Sequence, residues 1–195
     1  MPSPLRTLLA GLLGALAMFV WTAVAHMATP LGSTGFGQVQ NEAVPAAALQ
    51  ASIGQKSGLY LFPWTDPKNR DAEKIYEEKA KTMPTGFLVY HPPGHGTMMT
   101  GGTLGSEFAK QLVCSVIAAF LLAQATLLGA YAARVAFVAG LGVAVALTTN
   151  GSYAIWYGFP TDFTLAAMFT DFMSFLVAGL VIAALVKPPR SILSR

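Results

Sequence analysis

Charged residues are scarce in this 195-residue chain, at 11% of the total, whereas a soluble domain carries about 25%. Cysteine is scarcer still, and the single residue, Cys114, excludes an intrachain disulfide and zinc sites built on paired cysteines. The net charge of +3 is too small to indicate a basic surface that binds nucleic acid, so no nucleic-acid partner is expected. Apolar residues are in excess, at 54%, which indicates an integral membrane protein embedded in the lipid bilayer.

Four apolar segments are long enough to cross a bilayer as helices. The last is the clearest, because Asp171 is its only charged residue and Lys187-Pro188-Pro189-Arg190 follows it, a sequence that ends a helix. We predict a mainly α membrane protein with four transmembrane helices, at 5–29, 108–130, 132–150 and 163–186, and a tail at 187–195. The loop at 150–162 is rich in aromatic residues typical of a membrane interface.

The first apolar segment has two interpretations. Arg6, an apolar stretch and then Ala23-Val24-Ala25 also form the pattern of a cleaved signal peptide. However, the apolar run exceeds the usual signal-peptide core of about 7–15 residues. Trp21 and His26 suit a helix that ends at a membrane interface. We therefore expect this helix to be retained.

Residues 31–106 have a different composition, with six basic and six acidic residues. Their pattern predicts a helix from Asn41 to about Ile53, a strand at 58–63, a helix at 69–81 and a strand at 85–90. This order predicts a small α+β domain inserted between the first and second membrane helices. A domain of about 75 residues forms only a marginal core. We therefore expect it to rest on the membrane helices or on a partner.

Charge asymmetry predicts the orientation in the membrane. If the N-terminus is inside, the cytoplasmic segments contain no acidic residue, and their basic residues are Arg6, Arg134, Lys187, Arg190 and Arg195. The loop at 150–162 then lies outside, without Lys or Arg. We predict a multi-pass protein of the bacterial inner membrane with cytoplasmic N- and C-termini. Residues 31–106 would be extracytoplasmic, which in a Gram-negative cell means periplasmic.

Three short phrases carry a resemblance to a protein family. They are Gly58-Leu59-Tyr60-Leu61-Phe62-Pro63, Thr85-Gly86-Phe87-Leu88-Val89-Tyr90 and Ile155-Trp156-Tyr157-Gly158-Phe159-Pro160. In these phrases and in its layout the chain resembles a family of small bacterial four-span inner-membrane proteins with one extracytoplasmic loop domain. The family is uncharacterised in function. The resemblance implies the same fold, and no functional residue comes with it.

Asp171 is the strongest candidate for a functional residue. It lies nine residues past Asp162, about 13 Å along a helix axis. An unpaired carboxylate at that depth costs several kcal/mol, so it has to be paired, protonated or hydrated. The predicted partners are polar residues of the same leaflet: Ser115, Thr148 and Thr149, with His26 close by, and more widely Lys110, Gln111 and Asn150. Asp171 is either a polar clasp between helices or a proton, ion or ligand site.

A metal site is the second candidate, because His91, His95 and Met98 offer imidazole and thioether ligands of the kind that copper accepts. No carboxylate or cysteine nearby completes a ligand set, so no metal is expected to bind. His26 is conceivable as a haem ligand, although a single histidine at a helix end is more typical of a structural residue. Phosphate-loop and Gly-x-Ser-x-Gly motifs are missing, so no cofactor and no catalytic residue are expected.

We predict a non-enzymatic accessory or scaffold subunit that acts through its extracytoplasmic domain. Its partner would be a membrane protein, a periplasmic protein or another copy of the chain. One alternative is a small transporter or proton/ion-coupled protein that uses Asp171, which would need oligomers because four helices are few for a monomeric transporter. A second alternative is a metal- or haem-linked redox subunit that uses His26, His91 and His95.

Overall fold

Helices dominate the structure, a computed structural model that describes residues 3–96 and 99–187. Within these residues, four helices are long and apolar enough to cross a membrane, in agreement with the prediction of a mainly α, four-span protein. They are Pro4–Met27 (α1), Gly101–Gln124 (α4), Tyr131–Tyr157 (α5 with α6) and Thr161–Leu185 (α7). Helices of this length extend about 36–40 Å, which exceeds the hydrocarbon thickness of about 30 Å. The predicted tail lies outside the described residues beyond Lys187.

The third membrane helix extends further than predicted. Its parts are the α-helix Tyr131–Ala146 (α5), a π-helical turn at Leu147–Gly151 and the α-helix Ser152–Tyr157 (α6). The predicted helix ended at residue 150, but the chain stays helical to Tyr157, where Gly158 adopts a left-handed φ of 67° and ends the helix. As a result, Asn150 lies inside the helix and not in a loop.

The second membrane helix begins earlier than predicted. The predicted helix started at residue 108, after a glycine-rich stretch at 94–105, yet α4 starts at Gly101. The hydroxyl of Thr100 accepts a hydrogen bond of 3.1 Å from the backbone N–H of Thr103 and caps the helix. The cap satisfies a backbone donor that would otherwise be unpaired, which explains why a helix tolerates glycines in its first turn.

Small residues set the packing of the four membrane helices. Helix α1 packs against both α4 and α7, and α5 packs mainly on α7. A Cβ atom added to Gly11 would lie 2.8 Å from the Cα of Val116 in α4. A Cβ atom added to Gly142 of α5 would lie 2.6 Å from the Cβ of Phe175 in α7. These approaches are closer than side chains allow, so each glycine lets two helices come into direct contact.

Residues Gly37–Met98 form a separate compact unit. Two helices and two strands occur in the predicted order: Ala43–Ile53 (α2), Gly58–Phe62 (β1), Ala72–Ala80 (α3) and Gly86–Tyr90 (β2). The strands are antiparallel and form a two-stranded sheet. The unit is shorter at both ends than the predicted domain at 31–106, because residues up to Phe36 and from Met99 group with the membrane helices.

The two faces of this sheet differ. Tyr90 is buried, its ring meets that of Tyr60 edge-on, and its hydroxyl donates a hydrogen bond of 3.0 Å to the carbonyl of Gly54. On the opposite face Leu59 pairs with Val89, and these side chains are 66% and 69% exposed. We call this opposite face the apolar sheet face; its residues are Leu59, Leu61, Phe87 and Val89.

Candidate functional site

Asp171 lies in α7, ten residues after Thr161, which places it about 15 Å along the helix axis. Its Oδ2 atom accepts a hydrogen bond of 2.7 Å from Nδ2 of Asn150, in the π-helical turn. Asn150 is only 8% exposed, whereas Asp171 is half-buried. The bond therefore joins two membrane-spanning helices and supplies a partner for a carboxylate at this depth.

The predicted threonine partners of Asp171 point elsewhere. Thr148 and Thr149 are exposed, and the Thr148 hydroxyl donates a hydrogen bond of 2.7 Å to the carbonyl of Ala144 in its own helix. Asn150 belonged to the wider set of predicted partners. Thr148, Thr149 and Asn150 are consecutive polar residues, so hydropathy alone does not show which of them faces α7. The π-helical turn determines that it is Asn150.

The other two predicted partners lie on α4 and α1. Ser115 is completely buried and packs against Gly14, and its hydroxyl has no hydrogen-bond partner within the described residues. The ring of His26 is exposed, and its Nδ1 lies 2.9 Å from the carbonyl of Thr22, one helical turn earlier. The structure therefore brings neither of these side chains into a hydrogen bond with Asp171.

A second interhelical bond links α1 and α4. The amide Nε2 of Gln111, which is 3% exposed, donates to the Thr22 hydroxyl at 3.0 Å and to Oε1 of Glu107 at 2.8 Å. The same Glu107 oxygen accepts a bond of 2.9 Å from Lys110. Buried amides and ion pairs are stable in a membrane when their donors and acceptors are used in this way. The amide oxygen of Gln111 has no partner within the described residues.

A third bond connects the Gln111–Thr22 pair with the Asn150–Asp171 pair, so that together they form one polar layer. The indole of Trp21, next to Thr22, donates a bond of 3.1 Å to the carbonyl of Thr170, next to Asp171. Glu107 and Lys110 lie within electrostatic reach of Asp171. We call this set the polar layer; its members are Trp21, Thr22, Glu107, Lys110, Gln111, Asn150, Thr170 and Asp171. It links all four membrane-spanning helices at one depth.

Arg134 forms a separate polar cluster that the sequence did not predict. It was interpreted as a charge at a cytoplasmic turn, but it is only 7% exposed. Its Nε and Nη2 atoms donate to the carbonyl of Ala183 at 3.3 and 3.2 Å, and Nη1 donates to that of Gly129 at 2.5 Å. Ala183 lies in the last turn of α7, where carbonyls lack helical donors and the helix dipole favours a cation.

The predicted metal-ligating histidines lie outside the membrane helices. The rings of His91 and His95 stack, with centroids 3.9 Å apart and an interplanar angle of 10°. Stacked rings present their nitrogens in parallel planes, which do not converge on a single ion. Met98 is outside the described residues. Among the residues that are described, no group of three His, Cys, Asp or Glu side chains is placed to hold a metal.

We expect Asp171→Asn to preserve the fold, because an amide still accepts the bond from Asn150. Asp171→Leu should weaken helix association by about 1–2 kcal/mol, because the amide of Asn150 then loses its partner in the membrane. Thermal unfolding of both variants in detergent measures the difference, with Asp162→Leu in the first turn of the same helix as a control. Equal stability of Asp171→Leu and the parent would contradict a clasp.

The resemblance to a family of small four-span proteins stays a prediction. No protein-family model, no curated protein and no solved structure matches this chain.

Proposed function

We propose that this protein is a non-enzymatic accessory or scaffold protein of the membrane that binds a partner protein through residues 37–98. The observation that carries the proposal is the apolar sheet face, where Leu59 and Val89 are both about two-thirds exposed. Exposed, contiguous apolar side chains mark protein-interaction surfaces in soluble units. The partner is a membrane or periplasmic protein, with a second copy of the chain as the other possibility.

The small size of the sheet supports this proposal. An isolated two-stranded sheet is marginally stable in water, and a third strand or a packed surface stabilises it. The described residues form two strands, so each of β1 and β2 has an edge without a neighbouring strand. A partner that covers the apolar sheet face, or adds a strand to an edge, would bury Leu59 and Val89 and satisfy edge groups.

The contacts of the membrane helices support a scaffold as well. Three bonds of the polar layer join one helix to another: Gln111 with Thr22, Trp21 with Thr170, and Asn150 with Asp171. Hydrogen bonds of polar side chains between helices stabilise a helix bundle. The helical unit would thus be the anchor, and residues 37–98 the part that meets the partner.

Photo-crosslinking in native membranes tests the proposal. A photoreactive amino acid at Leu59 or Val89 should yield one discrete heavier product, because the partner covers these exposed side chains. Leu59→Ser with Val89→Ser should abolish copurification of that product. Glu73→Ser on α3, which is also exposed, is the matched control. Copurification that survives the double substitution would refute binding at this face.

We further propose the orientation that the charges favour: segments flanking the start of α1 and the end of α7 are cytoplasmic, and residues 37–98 lie outside a bacterial inner membrane. In a Cys114→Ala background, an impermeant thiol reagent applied to intact cells should modify Lys74→Cys and leave Ser194→Cys unmodified. Lys74 is exposed in α3, so burial does not prevent its reaction. The reverse labelling pattern would show that the orientation is inverted.

A further inference from the structure

Beyond the proposed scaffold role, we propose that Asp171 and Asn150 form a reversible proton-binding site inside the membrane-spanning helices. The carboxyl group of Asp171 would gain and lose one proton while it stays hydrogen-bonded to the amide. The ligand is the proton itself.

The partner of the Asp171 carboxyl group is an amide, which can bond to either protonation state of the acid. Asn150 Nδ2 donates to Asp171 Oδ2 at 2.7 Å, which suits an ionised carboxylate. A protonated carboxyl keeps an oxygen that accepts the same bond, and its new O–H can donate to an amide oxygen. A lysine or arginine partner would instead hold the carboxylate in its ionised form. The amide therefore keeps the two helices joined in both protonation states.

The charges on the elements packed around Asp171 leave its own charge without a direct counter-ion. On α4, Glu107 and Lys110 interact with Asp171 electrostatically, but they form an ion pair with each other at 2.9 Å. The titratable or charged groups of the other elements are Arg6 and His26 on α1, Tyr131 and Arg134 on α5, Tyr153 and Tyr157 on α6, and Asp162 on α7. Among the described residues, no Lys, Arg or His side chain forms a salt bridge with Asp171.

Asp171 is not sealed inside the helix bundle. It is half-buried, and the side chain of Lys110 is largely exposed on the neighbouring helix. The π-helical turn that carries Asn150 is a type of local distortion found often at functional sites. Asp171 is therefore accessible from outside the bundle, as a proton-binding site requires.

Labelling with dicyclohexylcarbodiimide, which reacts with protonated carboxyl groups in apolar surroundings, tests the site. The full-length protein in lipid vesicles is incubated with the reagent between about pH 5 and about pH 9, a range in which perturbed carboxyl groups titrate. Peptide mass mapping should locate one adduct per chain, on Asp171. Above the titration midpoint the protonated fraction falls about tenfold per pH unit, so labelling should fall by the same factor.

Three variants and one independent measurement make the result decisive. Asp171→Asn should lose the adduct, whereas Asp162→Asn and Glu107→Gln should retain it. The infrared difference spectrum of the parent between the two pH limits should contain a protonated-carboxyl band that Asp171→Asn lacks. The proposal is overturned if the parent is unlabelled throughout, if labelling does not depend on pH, or if the adduct maps to another acid.

Discussion

Replacement of Arg134 by methionine is expected to destabilise the helical unit by about 3 kcal/mol, a large effect for a single substitution. The guanidinium is buried and donates to the carbonyls of Ala183 and Gly129. Methionine fills similar space but offers no donor, so these carbonyls become unsatisfied, at about 1–3 kcal/mol for each buried group. In a protein of this size, a loss of about 3 kcal/mol lowers the melting temperature by about 6–12 °C.

Arg6→Met is the matched control, because Arg6 is exposed in α1 and its guanidinium makes no hydrogen bond within the described residues. Arg134→Lys should be intermediate, since an ammonium keeps the charge but cannot reach two carbonyls with a rigid fork. Melting is followed by the fraction of protein that stays monodisperse in detergent after heating. If Arg134→Met and Arg6→Met melt together, the contacts of Arg134 add nothing to stability.

Gly142→Ala is expected to destabilise the protein by about 2–3 kcal/mol, whereas Gly140→Ala, two residues earlier in α5, should be neutral or stabilising. The new methyl at Gly142 would lie 2.6 Å from Cβ of Phe175, an atom fixed to the backbone of α7. The helices must therefore move apart along their contact. At Gly140 the methyl meets nothing within 4 Å, so the substitution only improves helix propensity, by up to about 1 kcal/mol.

Because the same substitution is made at two nearby positions of one helix, the comparison separates the effect of helix packing from the effect of helix propensity. The two variants are compared by thermal unfolding in one detergent, with Gly142→Ser as a further small replacement that should also destabilise. A stability of Gly142→Ala equal to that of Gly140→Ala would mean that α5 and α7 are further apart than the 2.6 Å contact at Gly142 requires. A large loss at Gly140 would instead indicate that this open side of α5 is covered in the assembled protein.

Hydropathy was enough to predict four membrane-spanning helices, because each needs about 20 apolar residues and the chain has four such runs. It could not predict where two of them begin or end. The start of α4 depends on the side-chain cap by Thr100, and the extension of α5 to Tyr157 depends on a π-helical turn that absorbs polar residues. Neither feature changes the mean hydropathy of a sequence window, so a hydropathy profile does not reveal either of them.

The polar contacts were predicted less well, for a related reason. The need of Asp171 for a partner follows from the energetics of a carboxylate in lipid, but the choice of Asn150 depends on helix register. Arg134 was placed at a cytoplasmic turn because cations there fit the charge rule. Its burial results from tertiary packing, which brings the free carbonyl of Ala183 within reach.

The packing of α5 on α7 has a consequence for biosynthesis. The chain emerges from the ribosome in order, and α1 finds its main partner as soon as α4 is made. Helix α5 enters the membrane next, but Asn150 and the Nε of Arg134 bond to residues of α7, which is translated later. A nascent chain that stops before Thr161 therefore lacks the acceptors of the Asn150 amide and of the Arg134 Nε. Both polar groups then lie in the bilayer without these partners until α7 is made, which is energetically unfavourable.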